Sequence, residues 1–273
     1  MTDRDIVQID DPSDPRIAAF RAVKERDLVG RQGLFIAEGE VVLRALSLSP
    51  SMETVSVLLA GKRVAGLSDI LQNLPSEVPV YAAGQAVMDA VAGFPIHRGI
   101  LALGRRRVEL STDQLLAGLP AKAMMLVLCG IANHDNMGGL FRNAAAFGVD
   151  GVLLDSECCD PLYRKAIRVS VGAALRVPFA KMAGGTDIPT LLRGFDFAPL
   201  ALSPAGATSL SRLRSPERAA LLLGAEGPGL TTDVLTQCQT VSIPMAAGFD
   251  SLNVATTAGI VLHHLRHGIS GRA

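Results

Sequence analysis

No apolar run in this chain approaches the roughly 18–20 consecutive residues that a membrane-crossing helix needs, although hydrophobic residues make up 49% of it and charged residues only 19%. That combination predicts a well-packed globular protein with no membrane partner. Residues 1–14 are acidic and lack the apolar stretch of a secretion signal, so the expected address is cytoplasmic. Cysteine is scarce: Cys129, Cys158, Cys159 and Cys238 show no CxxC spacing and have no histidines at zinc-ligand intervals. Neither a disulfide framework nor a metal is indicated. Cys129 ends the apolar run 124–128 and is expected to be a structural thiol; Cys158 and Cys159 are adjacent, which makes a bridge between them too strained. An excess of charge is missing as well, with 26 basic and 26 acidic residues, 13 against 14 up to position 110 and 13 against 12 after it. Neither half is a polycation. Any nucleic-acid surface must therefore be a local patch, and the candidates are Arg98 with Arg105, Arg106 and Arg107, and the set Arg16, Arg21, Lys24, Arg26 and Arg31. On charge alone each is more simply a solvated face.

At 273 residues the chain is long for one domain, and about 150 residues per domain gives two. Asp14-Pro15 predicts a helix start, with Asp capping and Pro at the first helical position, continuing to about residue 29. Strand-like runs at 33–37, 54–60, 79–82 and 99–103 alternate with helical stretches at 40–48, 64–74 and 85–93, which predicts an α/β layer domain. A charge run with Ser111, Gly118 and Pro120 breaks the pattern, and the division is 1–107, a connection over 108–122, and 123–273. The second part has strand-like segments at 124–129, 151–154, 197–202, 219–223 and 240–243, with helices at 139–147, 161–171, 231–237 and 251–267. A second α/β domain with a parallel sheet is expected.

In open α/β sheets ligands bind beyond the carboxyl ends of strands, and three such ends carry unusual sequence. After Cys129 a polar loop from Gly130 through Asn133, His134, Asp135, Asn136 and Gly138 enters a helix, with Asn136 a candidate cap and Arg142 one turn in. After Leu223 comes Gly224-Ala225-Glu226-Gly227-Pro228-Gly229-Leu230, whose glycines allow close backbone approach to a ligand. It has neither the Gly-Lys-Ser/Thr of a phosphate-cradling loop nor a GxGxxG dinucleotide spacing. Glu226 and the free backbone groups suit a neutral or cationic ligand. After Ile243 an apolar loop with Pro244 and Met245 closes on Ser251, a candidate helix cap. Each loop by itself is also explained as an ordinary turn.

Together the three segments resemble the signature motifs of the SpoU (TrmH) family of RNA methyltransferases, within the SPOUT superfamily. Asn136, Gly138 and Arg142 fall on the first motif; Leu223, Gly224, Glu226, Gly227, Gly229 and Leu230 fall on the second; Ile243-Pro244-Met245 and Ser251-Leu252-Asn253-Val254 fall on the third. Residues 168–174 resemble the family's serine–glycine turn. The N-terminal part resembles, through Asp14–Arg16 and residues 33–40, the L30e-like substrate-binding domain attached to many members. Ala255 stands where the family usually has serine, and Asn133-His134-Asp135 replaces its usual acidic residue and proline.

The resemblance implies an α/β fold whose C-terminal domain is a deep trefoil knot with a mostly parallel sheet. It implies a homodimer, S-adenosylmethionine as cofactor without a metal, and methylation of a ribose 2′-hydroxyl in structured RNA, with rRNA preferred over tRNA. By the same resemblance Leu223, Gly224, Glu226, Gly229, Ile243, Met245, Leu252 and Asn253 hold the cofactor. Arg142, Asn136, Glu226, Ser251 and Asn253 serve catalysis, Arg142 acting across the dimer. Arg16, Arg21, Lys24, Arg31 and Arg142 contact RNA. A guanidinium stays protonated below about pH 12, so Arg142 is read as orienting substrate rather than as a base. An RNA-binding protein that has lost catalysis and a SPOUT base methyltransferase are the alternatives.

Overall fold

The computed structural model describes residues 4–21, 25–247 and 251–267. Two compact units are present, Met1–Val108 with Leu162–Arg176, and Glu109–Pro161 with Val177–Ala273.

In the first unit β1 (Ile6–Ile9), α1 (Glu25–Gln32), β2 (Leu34–Glu38), α2 (Glu40–Ser47), β3 (Met52–Ala60), α3 (Ser68–Asn73), β4 (Val80–Ala83), α4 (Gln85–Ala92) and β5 (Ile100–Arg106) follow in order. The sheet order is β1-β4-β3-β5-β2, parallel across β1, β4 and β3 and antiparallel from β3 through β5 to β2. Helix α2 buries Val42, Leu43 and Leu46, one face at helical spacing. Helix α4 ends where Gly93 takes the left-handed cap conformation at φ 79.

The single helix expected from Asp14 to about residue 29 is corrected. Asp14 does cap, its side chain accepting from the Arg16 amide, but the turn it starts is a 3-10 helix over Pro15–Phe20, and Arg21 is extended. The Arg21 guanidinium donates back to the carbonyls of Ser13 and Asp14, which ties off the turn before α1 begins. Strand β1 escapes sequence reading because its four residues are framed by acidic ones. Residues 162–176, with α7 (Arg164–Val169), pack with this unit: Arg164 Nε meets Glu38 Oε2 at 2.9 Å, and Ser49 Oγ donates to the Leu175 carbonyl at 2.6 Å.

The second unit begins with α5 (Thr112–Ala117), inside the stretch read from sequence as a connection, where Ser111 and Gln114 form a capping box. Its strands are β6 (Ala123–Leu128), β7 (Gly151–Leu154), β8 (Phe179–Lys181), β9 (Ala198–Leu202), β10 (Thr208–Ser209), β11 (Arg218–Leu223) and β12 (Gln239–Ser242). They stand in the order β10-β12-β9-β11-β6-β7-β8, every pair parallel. Strands β6 and β7 are buried at every position, as a parallel sheet covered on both faces requires. The helices are α6 (His134–Phe147), α8 (Ile188–Gly194), α9 (Thr232–Gln237) and α10 (Val254–His267). Met125, Val127, Leu192, Phe197 and Leu222 are central to a core on one side of the sheet.

Helix α10 packs on α6 at a distance only small residues allow. A Cβ at Gly139 would lie 2.8 Å from the Ala255 Cβ, and Asn143 Nδ2 donates to the Ala255 carbonyl at 2.5 Å. Gly139→Ala should therefore destabilise the protein by about 1–3 kcal/mol through overpacking, read as a lower urea midpoint. The double variant with Ala255→Gly should recover most of that loss.

Candidate functional site

The parallel order sets three loops beside one another. Leu128 of β6 is in register with Leu223 of β11, and the Cys129 amide continues the ladder onto the Leu223 carbonyl at 2.9 Å. Strand β9 separates β11 from β12, so the carboxyl ends of all four strands open on one edge of the sheet.

The first loop enters α6 through Asn133, whose side chain accepts from the amides of Asp135 and Asn136 at 2.8 and 3.3 Å. Asn133, not Asn136, is the cap. Asn136, only 7% exposed, instead donates from Nδ2 to Glu226 Oε1 at 2.7 Å. Its Oδ1 accepts from Asn253 Nδ2 at 2.8 Å, and the same Asn253 nitrogen reaches Glu226 Oε1 at 3.4 Å. Asn253 Oδ1 accepts from the amides of Ala255 and Thr256, so Asn253 caps α10, the role expected of Ser251. One residue from each loop thus joins a single hydrogen-bonded triangle.

The second loop depends on Gly224. A Cβ there would stand 2.2 Å from the Gly229 carbonyl carbon and 2.4 Å from the Leu230 nitrogen, because the loop folds back with the Gly229 amide donating to the Ala225 carbonyl at 3.0 Å. Gly227 and Gly229 have positive φ, at 90° and 68°, conformations that glycine adopts without strain.

A cavity of about 450 Å³ lies against these loops. All eight residues expected to hold a cofactor line it: Leu223, Gly224, Glu226, Gly229, Ile243, Met245, Leu252 and Asn253. Ser251 lines it too. Leu202, Ser203 and Pro204, at the end of β9, complete the wall and were missed from sequence because they carry no motif, although the strand before them was recognised. Asp155 was also missed. From the end of β7 it accepts the Gly130 amide at 3.0 and 2.9 Å on its two oxygens and fixes the first loop from below.

Arg142 is not in this cavity. It is exposed on the outer side of α6, away from the face that carries Asn136, Leu140 and Phe141 inward, and no side-chain partner is seen for it among the described residues. Of the other expected RNA contacts, Arg16 is paired to Asp14 at 2.6 Å and Arg21 is bonded to backbone carbonyls. Lys24 and the Arg31 side chain lie outside what is described. The Arg16 bonds hold the Asp14 carboxyl down at about 2. Among the described residues no group of three or more His, Cys, Asp and Glu is placed to hold a metal ion.

All four cysteines are free and half-buried. Burial, reinforced by the Asp155 charge, pushes the Cys129 thiol from 9.0 up to about 12, and burial with Asp160 pushes Cys159 up to about 11. Cys158 is raised for the same reasons; its sulfur accepts from the Ile131 amide and donates to the Leu128 carbonyl.

Two outcomes follow. Glu226→Ala should lower stability by about 1–3 kcal/mol, because the Asn136 donor keeps its burial and loses its acceptor; Glu226→Gln retains an oxygen there and should lose less, both read by urea unfolding. A folded pKa above the unfolded one stabilises below the unfolded value and is lost as pH rises through the folded value. The urea midpoint should therefore fall between pH 9 and 12, and less steeply in Cys129→Ala.

The sequence model described as the SpoU rRNA Methylase family matches residues 123–263, 141 of the 273 in the chain. An uncharacterized tRNA/rRNA methyltransferase of Mycobacterium bovis is 41% identical over 268 residues, 95% of this chain and 91% of that protein. A 23S rRNA (guanosine-2′-O-)-methyltransferase, RlmB, of Salmonella typhi is 28% identical, covering 80% and 91%. Among solved structures, an AdoMet-bound rRNA methyltransferase from Sinorhizobium meliloti aligns over 96% of this chain and 97% of its own with a TM-score of 0.81 at 21% identity. The shared motifs, the parallel sheet that carries them and these matches place the chain in the SpoU family of RNA methyltransferases.

Proposed function

We propose that this protein transfers a methyl group from S-adenosylmethionine to a ribose 2′-hydroxyl of structured RNA, with rRNA preferred over tRNA. The observation that carries the reading is the cavity of about 450 Å³ in which the second and third loops meet and which the Asn136–Glu226–Asn253 triangle ties to the first. Its volume is within the usual range for small-ligand sites, about 300–1,000 Å³. Leu202, Leu223, Ile243 and Leu252 offer an apolar bed for an adenine ring, the glycine-rich backbone offers main-chain partners, and the Glu226 carboxylate suits a positively charged ligand. The donor set fits the cofactor. The Sinorhizobium structure, described as AdoMet-bound, is consistent with it.

When bound, S-adenosylmethionine supplies an electrophilic methyl on a positively charged sulfur. The protein's task is then to bring a ribose hydroxyl in line and to ease loss of its proton. Glu226, fixed by two amide donors, has a defined oxygen position beside the cavity. Arg142, through the fork of donors its guanidinium presents, holds the target phosphate and ribose and stabilises developing alkoxide charge. Because Arg142 does not line its own protomer's cavity, it acts on the site of a second copy. Leu252 and Ile260, 44% and 39% exposed, are apolar surface that such a dimer would cover. In this reading the first domain, about 1–107, is the L30e-like RNA-holding part, and 123–273 is the knotted methyltransferase. The enzyme works in the cytoplasm, where its RNA is.

The guanosine-2′-O- activity in the name of the Salmonella relative and the tRNA/rRNA names of the mycobacterial ones support this substrate class. Purified protein with labelled S-adenosylmethionine and total RNA should transfer methyl groups, and mass spectrometry of the nucleosides should find them on ribose. A methyl on a base, or no transfer, overturns the reading. Arg142→Ala should lower kcat by a hundredfold or so if the guanidinium stabilises the transition state, with the protein sedimenting as a dimer at micromolar concentration.

A further inference from the structure

The first unit carries a cluster of guanidinium groups that sequence order does not suggest. Arg98 and Arg105–Arg107 looked like one basic patch, but β5 runs between them, and a strand of seven residues separates its ends by about 20 Å. At the far end Arg105 is paired with Glu53 at 2.5 Å and Arg107 donates to the Met52 carbonyl. At the near end Arg98 meets a different set. Its Nη1 lies 3.0 Å from where a Cβ of Gly39 would stand, next to Glu38 at the end of β2.

Glu38 is buried, its side chain 6% exposed, and takes Arg164 at 2.9 Å and Arg168 at 3.9 Å. These two arginines are four residues apart on α7 and so share one face. The Arg164 guanidinium also stands 5.1 Å from the centroid of the Phe94 ring, and Phe94 is 46% exposed. Arg98 and Arg168 are exposed. Two guanidiniums thus meet one buried carboxylate, a third, Arg98, lies over the next residue, Gly39, and an aromatic ring open to solvent stands beside Arg164.

A buried carboxylate that fixes one guanidinium over a ring while others remain exposed is a pre-set platform. Bases that are not paired stack on aromatic and guanidinium planes, and exposed arginines take the flanking phosphates. We propose that Phe94, Arg98, Arg164 and Arg168 form a contact surface for an unpaired segment of the RNA substrate, Phe94 and Arg164 receiving a base and Arg98 and Arg168 the adjoining phosphates. Glu38 is the positioning residue that holds Arg164. This rests on the RNA reading above and goes beyond it by naming a single-stranded segment and the side chains that hold it. It also moves the expected RNA surface away from Arg16 and Arg21, whose guanidiniums already have partners.

The test is fluorescence anisotropy of the full-length protein with a labelled single-stranded RNA of 12 mixed nucleotides, with a duplex of the same sequence and polyglutamate as competitors. Arg98→Ala with Arg168→Ala should weaken binding at least about tenfold and reduce the slope of log affinity against log salt by about 1.4, from about 0.7 per phosphate contact. Phe94→Ala, at an exposed position, should weaken it about fivefold or more without changing that slope. Arg44→Ala, whose guanidinium lies between Glu40 and Asp69, serves as the control and should bind as wild type. Unchanged binding by both patch variants overturns the proposal, as does equal competition by the duplex or by polyglutamate. If wild type methylates RNA and the patch variants bind and methylate as well as it does, this inference fails alone; if wild type methylates none, the underlying reading fails while the binding result still stands.

Discussion

The candidate site depends on one carboxylate held by two amides. Glu226 accepts from Asn136 and Asn253, and Asn253 in turn donates to Asn136 and caps α10. Asn136 is almost fully buried, where an unpaired amide costs about 1–3 kcal/mol, so none of the three can move without exposing or orphaning another. The triangle fixes the second loop relative to the start of α6 and the start of α10. It does so with neutral donors on a single charge, which leaves the Glu226 oxygen oriented beside the cavity rather than cancelled by a cation.

The parallel sheet makes this possible. Strands in one direction bring their carboxyl ends to one edge, and the order β12-β9-β11-β6 puts three loop-bearing ends and the plain end of β9 side by side. Backbone economy then sets the details. Gly224 admits the returning chain at 2.2 Å from its missing side chain, and Gly139 lets α10 settle on α6 against Ala255. Ala255, the position where the family usually has serine, is the residue in that contact; it packs a methyl where a hydroxyl was expected.

In the first unit the organising element is also a buried carboxylate, but the balance of charge differs. Glu38 draws Arg164 and Arg168 from a segment more than 120 residues away in sequence, and Arg98 comes from the turn before β5. One acid meets two bases there, while Arg98 lies beside Gly39 and stays exposed. At the N-terminal turn the reverse holds: Asp14 and two backbone carbonyls engage Arg16 and Arg21 in capping.

Local signals in the sequence were sufficient for what is local. Strand and helix runs in both parts are found close to where periodicity put them, since burial on a strand or helix face is written in adjacent residues. The eight residues that the family resemblance assigns to the cofactor all line the cavity, and they do so because they sit next to strand ends and parallel strands bring such ends to one edge. Caps were read less well, Asn133 and Asn253 taking the places given to Asn136 and Ser251, because several neighbouring polar side chains have equal local claim and only the folded backbone decides which one starts the helix. The grouping of 162–176 with the first unit, the Asn136–Glu226–Asn253 triangle and the gathering of arginines on Glu38 were decided by tertiary structure alone. Hydrogen bonds and ion pairs between residues 27 to 130 positions apart leave no periodicity to read, and only the folded sheets bring those atoms within 4 Å of one another.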